Sequence, residues 1–376
     1  IGNRENGCME GDPACMVIGH SYAFSPRGAD GAPNFHVADA LTVMERVATT
    51  PGIESSPGFR TRPGLESYLR QGYASRSQEE SKRVTEPWGY HGSADGISGT
   101  GGRTASQTLD YALADFAIHR VALSEGRSAL AARMLRQAQH WKAVIDPATR
   151  TFPQAGSRTR FGGYAEGGWE SYQGMVPHNL AGLIEAMGGR AAASAVFAQL
   201  IHYPYNQQMI HNPWAWNWCG EPWKTQAKTR DVLLRHYFTA KTGNAREKPE
   251  EAARPFVQKR FQFPSSNDHG CHTAYGIWLA LGIFPAIPGV GGFTVGSPMT
   301  PKAVITRPDG WTLTIITEQA APENAYVQSL TVNGAPHTGT WIPWELLSGQ
   351  PANELRFVMG PQSNHAWGMA PPPPSF

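Results

Sequence analysis

The feature that most constrains the fold is a repeated pair of helical patterns, each followed by a long loop rich in glycine and aromatic residues. Apolar residues recur at helical spacing over Ala105–Leu123 and Ser128–Val144, with a Ser124-Glu125-Gly126 turn between them. The remaining helical patterns are Val37–Val47, Leu65–Leu69 and about His178–Met187, Ala191–Leu200, Pro222–Phe238 and Thr273–Leu281, and the loops are Phe161–Val176, Tyr203–Trp218 and Phe261–Gly270. This regular pitch favours an α/α toroid over an irregular helical bundle.

The pattern changes after Gly289, where short β-rich runs replace the helices. Turns containing Pro, Gly or Asn separate these runs, which are Ala303–Thr306, Trp311–Ile316, Tyr326–Val332 and Leu355–Met359. We therefore predict a mainly α chain with a β module. The predicted helical domain covers residues 1–290, and the β-rich module, interpreted as half of a sandwich, covers residues 291–376.

Charge and composition exclude several classes of partner. The 32 Lys and Arg residues nearly balance the 30 Asp and Glu residues, which gives a net charge of +2 and no field for nucleic acid or an anionic membrane. No run approaches the roughly 18 apolar residues of a membrane span. Cys8 and Cys15 could form a disulfide or remain free thiols. The start of the chain lacks a targeting signal and is interpreted as processed or truncated.

Two carboxylates in the predicted loops are candidates for acid–base chemistry. Glu166 lies in Tyr-Ala-Glu-Gly-Gly-Trp-Glu, and Asp268 lies in Ser-Asn-Asp-His-Gly. Both are surrounded by glycine and aromatic residues, whereas ordinary solvated carboxylates usually lie on charged helix faces. Acid–base catalysis needs two carboxyl groups in different environments, and loops at one end of a toroid bring distant residues together. A solvated or helix-capping role is the alternative for each residue.

The sequence also contains groups that could bind a metal. The run His269–His272 does not match any zinc spacing, so structural roles are favoured for its histidines. Asn206, Gln207, Asn217 and Glu221 carry side-chain oxygen atoms, the ligand type that calcium prefers. These four residues are therefore candidate calcium ligands.

Several motifs in one order resemble glycoside hydrolase family 92, the calcium-dependent α-mannosidases. Tyr164-x-Glu166-Gly is similar to the Y-x-E-G segment of this family, and Val176-Pro-His178-Asn is similar to its V-P-H-D. The other matching segments are Gly11–Ala14, Leu65–Tyr73, Thr108–Ala112, Pro213–Gln226, Asp268–Gly270, Ala280–Pro285, Gly296–Pro298 and Met359–Asn364. The resemblance is collinear and covers essentially the whole chain.

The resemblance implies an exo-acting, inverting α-mannosidase built from an (α/α)6 toroid and β-sandwich strands. Its substrate would be a glycan with terminal, usually α-1,2-linked, mannose, and the protein would be secreted, extracellular or periplasmic. Residue by residue, Glu166 matches the general acid and Asp268 the general base. Ca2+ would contact the mannose hydroxyls, with Asn206 and Gln207 in its oxygen cage. The candidate substrate-binding residues are His178, Glu170, His211, Trp214 and Asn217.

The chain departs from the family pattern at functional positions. Gln207 stands where the family has Glu. Ser266, two positions before the base, stands where the family often has a carboxylate or Asn. Glu170 is a rival candidate for the general acid. The N-terminal sandwich and first toroid helices of the family are missing, which predicts a second chain that carries them or an incomplete copy of a longer protein. A glycan-binding or scaffolding chain without hydrolysis is therefore the alternative function. A lyase with a Tyr or Lys base is a third.

Overall fold

The computed structural model describes residues 12–24, 35–56, 59–75, 104–154, 163–165, 167–200, 209–238, 270–369 and 371–376. The chain divides into two compact units, of which the first comprises residues 1–178 and 287–290 and the second residues 179–286 and 291–376. This division follows compactness, whereas our boundary at residue 290 follows the change from helices to strands. The 290 boundary stays a prediction.

Helices dominate the described residues as far as position 281. The α-helices are α1 (Pro13–Phe24), α2 (Val37–Thr49), α3 (Leu65–Gln71), α4 (Thr104–Ser124), α5 (Ser128–Gln137), α6 (Leu180–Ala186), α7 (Arg190–Leu200), α8 (Trp216–Cys219), α9 (Pro222–Leu233) and α10 (Cys271–Leu281). Short 3-10 helices cover His140–Ala143, Trp169–Tyr172, Pro177–Asn179 and Asn212–Trp214, and a π-helix covers Leu234–Phe238. Each predicted helical run therefore contains a helix wherever the structure describes it.

Two details of the helical predictions are wrong. The run predicted over Ser128–Val144 ends at Gln137 and resumes as a 3-10 helix over His140–Ala143. The loop predicted over Tyr203–Trp218 contains the first residues of α8, which ends at Gly220 in the left-handed conformation. Closely spaced aromatic residues at positions 214, 216 and 218 hide this single helical turn, because they do not leave a polar face.

Helix α4 forms the centre of the first unit. Seventeen of its 21 residues are buried, so it lacks the polar face of a surface helix. Its Ala114, Ile118 and Val121 pack in one core with Leu41 of α2 and Met134 of α5. Cys15 of α1, a buried free thiol, belongs to the same core, while Cys8 lies outside the described residues.

A buried ion-pair network links three segments of the first unit. The fully buried Arg62 guanidinium lies between Asp12 and Asp115, with Nε 2.9 Å from Asp12 Oδ2 and Nη1 2.7 Å from Asp115 Oδ1. The Tyr68 hydroxyl donates to Asp115 Oδ2 at 2.9 Å. Burial raises the pKa of Asp115, and Arg62 opposes that rise. Asp12 also accepts from the Cys15 amide, so the network connects the start of α1 with α3 and α4.

The second unit contains the β module. The strands are β3 (Ile283–Phe284), β4 (Gly292–Val295), β5 (Lys302–Thr306), β6 (Thr312–Glu318), β7 (Tyr326–Val332), β8 (Ala335–Pro336), β9 (Trp341–Pro343) and β10 (Ala352–Gly360), with a helical turn α11 (Glu345–Ser348). In the first unit, β1 (Glu54–Ser56) and β2 (Phe59–Arg60) form a hairpin. The four predicted strands correspond to β5, β6, β7 and β10.

The strands of the β module form two sheets. One has five strands in the order β5-β6-β10-β7-β8, and the other has three strands in the order β3-β4-β9. Strand β10 pairs in parallel with β6 and antiparallel with β7. Among the described residues, no single helix is long and apolar enough to cross a membrane, although the bent pair Pro177–Ala186 and Arg190–Leu200 meets the length and composition criteria together.

Candidate functional site

The structure describes only part of the predicted site. The predicted catalytic pair, Glu166 and Asp268, and the predicted calcium ligands Asn206 and Gln207 lie outside the described residues. The candidate substrate residues His178, Glu170, His211, Trp214 and Asn217 are all described. The first two belong to the first unit and the other three to the second.

The backbone that leads into position 166 is held by the first turn of α4. The amides of Ala105 and Ser106 donate to Gly163 O at 3.2 and 3.4 Å. The Ala165 amide donates to Ser106 Oγ at 3.0 Å, and the Tyr172 hydroxyl donates to Ala165 O at 2.9 Å. These bonds attach the residues immediately before the predicted acid to the buried helix α4 and to Tyr172.

Glu170 lies on the 3-10 helix that follows this segment. Its carboxylate is partly buried and turns back over Gly168. A Cβ added to Gly168 would collide with Glu170 Oε2. Burial, reinforced by the charge of Glu170, raises the pKa of Tyr164. The Tyr164 hydroxyl therefore stays protonated near this carboxylate, and it donates to Pro153 O at 2.9 Å. The role of Glu170 as substrate contact or rival acid stays a prediction.

Gln173 supports the same loop, although the sequence analysis did not single it out. The side chain is completely buried, with Nε2 donating to Phe152 O at 3.1 Å and Trp169 O at 2.9 Å. Its Oε1 accepts from the Phe152 amide at 3.3 Å. In the sequence, the signal of this role is a glutamine among the apolar residues Tyr172 and Met175, and it is weak.

His178 is completely buried in the first unit. Its ring stacks on Phe116 with centroids 5.2 Å apart, and Nε2 lies 2.9 Å from Ala138 O. Burial lowers the pKa of His178 to about 4, so the imidazole is neutral at physiological pH. Its Nδ1 has no hydrogen-bond partner among the described residues. A neutral, packed ring of this kind orients its neighbours, and direct contact with a sugar stays a prediction.

The structure brings His211, Trp214 and Asn217 together on the β3–β4 pair. The Trp214 ring stacks on Phe284 of β3 with centroids 5.2 Å apart, and the His211 ring contacts Phe284 edge-on at 5.7 Å. Asn217 Nδ2 donates to Thr294 Oγ1 at 2.7 Å and to Val295 O at 2.8 Å. Phe284 and Thr294 are register partners, so all three candidates lie at one place in the sheet.

The exposure of these three residues differs. Trp214 is completely buried and Asn217 is 1% exposed, whereas His211 is partly exposed. Asn217 Oδ1 has no partner among the described residues, although the amide nitrogen has two. A buried acceptor without a partner lowers the stability of the fold. A donor such as a sugar hydroxyl group would therefore gain free energy by binding to Asn217 Oδ1.

The other candidate calcium ligand in this region, Glu221, is engaged within the protein. Its Oε1 lies 2.8 Å from Lys224 Nζ, and its Oε2 accepts from Ser194 Oγ. Ser194 Oγ also accepts from Lys224 Nζ at 2.9 Å and from Trp216 Nε1 at 3.2 Å. Across the described ranges, no group of three or more His, Cys, Asp or Glu side chains could hold a metal ion.

A family model decides the relationship of this chain to known proteins. The glycosyl hydrolase family 92 catalytic domain matches residues 1–247 and 250–361. The chain belongs to glycosyl hydrolase family 92. The resemblance seen in the sequence motifs is thereby confirmed.

Solved structures of family 92 members share the fold. The α-mannosidase BT3965 of Bacteroides thetaiotaomicron superposes with a TM-score of 0.74 at 20% identity, covering 98% of this chain and 45% of that protein. The inverting mannosidase BT2199 of B. thetaiotaomicron VPI-5482 gives a TM-score of 0.74 at 20% identity, covering 99% and 49%. The predicted fold class is therefore confirmed.

A curated relative outside the solved structures is an uncharacterized secreted glycosidase of Arthroderma benhamiae. It is 25% identical over 213 residues, which are 54% of this chain and 24% of that protein. The match thus covers less than half the length of each of these three proteins.

Proposed function

We propose that this chain is part of a glycoside hydrolase that releases terminal α-linked mannose from glycans. The observation that carries the proposal is the family 92 match. The matched ranges contain both residues of the predicted acid–base pair, Glu166 and Asp268. The names of the superposed structures, an α-mannosidase and an inverting mannosidase, support the substrate. The hydrogen bonds of the Gly163–Ala165 segment fix the backbone that immediately precedes the predicted acid.

In the proposed mechanism, Glu166 donates a proton to the glycosidic oxygen as the bond to the anomeric carbon breaks. Asp268 accepts a proton from a water molecule that attacks the opposite face of the sugar. This water needs space, so the two carboxyl groups of an inverting enzyme stand about 6.5–9.5 Å apart. The reaction breaks one glycosidic bond, consumes one water molecule and leaves a hydroxyl group on each of the two products.

Mannose release tests the proposal directly. We expect hydrolysis of α-1,2-mannobiose, slower hydrolysis of the α-1,3 and α-1,6 isomers, and β-mannose as the first anomer in a proton NMR time course. Retention of the α anomer would contradict the inverting mechanism. If a protein that contains this chain and the part that completes the site released no mannose from any isomer, the mannosidase proposal would be contradicted.

Calcium binding is a separate proposal, supported by the oxygen-bearing side chains of Asn206 and Gln207 and by the resemblance. When bound, calcium would polarise sugar hydroxyl groups as a Lewis acid. We expect 1 mM Ca2+ to raise the melting temperature, because a ligand of the native state stabilises it by mass action. Mg2+ is the control, and Asn206→Ala should abolish the shift. An equal shift with both ions, or an unchanged shift in the variant, would contradict this site.

A second candidate function is glycan binding without hydrolysis. Gln207, at a position where the family has a carboxylate, and Ser266, two residues before the predicted base, favour it. In that case the chain would bind mannose-terminated glycans, measured by calorimetry, and release no mannose.

Two further proposals concern context. The coverage of 45% and 49% of the superposed enzymes supports a second polypeptide, or a further part of the same one, that completes the site. The secreted relative supports a secreted, extracellular or periplasmic location. Native mass spectrometry of the purified protein would detect an associated chain.

A further inference from the structure

The segment after β10 crosses from the β module to the helices of the second unit. Trp367 Nε1 donates to His337 O at 3.1 Å, and the Gly368 amide donates to Thr338 O at 3.1 Å. Gly368 packs so closely on Pro222, the first residue of α9, that an added Cβ would lie 2.9 Å from its ring. The chain then continues as Pro371-Pro-Pro-Pro-Ser-Phe376.

Two hydrogen bonds fix the far end of this segment. The Trp218 indole Nε1 of α8 donates to Pro374 O at 3.1 Å, and the Ala181 amide of α6 donates to Ser375 Oγ at 3.1 Å. Trp218 is 2% exposed and Pro373 is buried, whereas the hydrogen bond between Ala181 and Ser375 lies at the exposed surface. Proline-rich segments suit such contacts because their extended backbone is ordered before binding and its carbonyl groups are free to accept.

We propose that Trp218 and the Ala181 backbone form an intramolecular binding site for a polyproline segment, and that its ligand is Pro371–Phe376 of the same chain. The docked segment contacts α8 through Trp218, and Asn217 links the same helix to β4 through Thr294 and Val295. Trp218 is therefore a positioning residue for Asn217, its neighbour in sequence. This last step rests on the proposed function, whereas the docking itself does not.

Adjacent amides in α6 provide an internal test of the docking. The Ala181 amide donates to Ser375 Oγ, whereas the Gly182 amide donates to Asn179 Oδ1 at 3.0 Å. In Ser375→Ala we expect hydrogen exchange at Ala181 to accelerate about fivefold, the equivalent of about 1 kcal/mol for one hydrogen bond. Exchange at Gly182 should not change. Ser363→Ala, which removes an exposed hydroxyl group elsewhere in the C-terminal segment, is the matched control.

The role of Trp218 is tested with a second pair of variants. Trp218→Phe removes the indole donor but keeps an aromatic ring, so exchange at Ala181 should accelerate. Trp223→Phe is the control, because the Trp223 ring stacks on His365, with centroids 4.0 Å apart. Replacing Pro372 and Pro373 with glycine keeps the acceptors but removes the ordered backbone, and should have the same effect as Trp218→Phe. Unchanged exchange at Ala181 in Ser375→Ala and Trp218→Phe would overturn the docking.

The positioning role needs a kinetic measurement. If docking positions Asn217 for substrate binding, Trp218→Phe raises KM severalfold and leaves kcat near the wild-type value, the pattern for lost uniform binding. A fall in kcat with unchanged KM would overturn this role. Failure of the wild-type protein to release mannose would refute the proposed function, while the exchange at Ala181 would still decide the docking.

Discussion

Replacing Glu166 with glutamine is expected to lower kcat on α-1,2-mannobiose by about 10²–10⁴-fold, the usual contribution of a general acid. Glutamine keeps the size and the hydrogen-bonding oxygen of the side chain but cannot donate the required proton. A mannoside with a dinitrophenyl leaving group needs no proton, so the same variant should hydrolyse it at close to the wild-type rate. Steady-state kinetics on the two substrates measures both effects.

Two variants distinguish Glu166 from its neighbours. Glu170→Gln should keep most of the activity on mannobiose, because Glu170 matches the family acid less well than Glu166 does. Asp268→Asn should lose activity on both substrates, since attack by water is needed whatever the leaving group. If Glu170→Gln shows the leaving-group dependence and Glu166→Gln does not, the assignment of the acid moves to Glu170.

Replacing Arg62 with methionine is expected to lower the free energy of unfolding by about 3–5 kcal/mol, the cost of removing one partner from a buried ion pair. Methionine fills a similar volume but leaves Asp12 and Asp115 without their cation. Both carboxylates would then have to become neutral or be exposed to water. Urea denaturation followed by circular dichroism measures the change.

Arg356 provides the matched control on the surface. Its guanidinium pairs with Glu318 and Glu354, but the side chain is 40% exposed. Exposed ion pairs contribute about 0–1 kcal/mol, so Arg356→Met should change stability by no more than that. A loss for Arg62→Met as small as that for Arg356→Met would show that the buried network does not stabilise the fold.

The sequence predicts those helices that have one buried face. In α2 the buried residues Val37, Leu41 and Met44 are the ones that the helical period selects. Helix α1 was not predicted, because its 12 residues are apolar on most sides and show no period. Its Gly19 packs so closely on Ala117 that an added Cβ would lie 2.9 Å from the Ala117 Cβ. That contact depends on a residue 98 positions away, which a local pattern does not reveal.

The strands and the site show the same limit. Strand β6 alternates between buried and partly exposed residues and was predicted, whereas all four residues of β4 are buried and leave no alternation. The residue type of His178 suits a contact with substrate, but its ring packs on Phe116 and its Nε2 hydrogen-bonds to Ala138 O. Motif matching predicts which residues belong to the site, and only tertiary contacts show which of the predicted residues are packed in the interior.

The position of β10 has a consequence for the order in which the β module assembles. This strand is the last of the described strands along the chain, yet it lies between β6 and β7 in the five-stranded sheet. A ribosome synthesises β6 and β7 before β10, so their inner edges have no partner until residues 352–360 have emerged. Unpaired edges invite association with other chains. The nascent module therefore passes through an open, aggregation-prone stage that ends only with the insertion of its final strand.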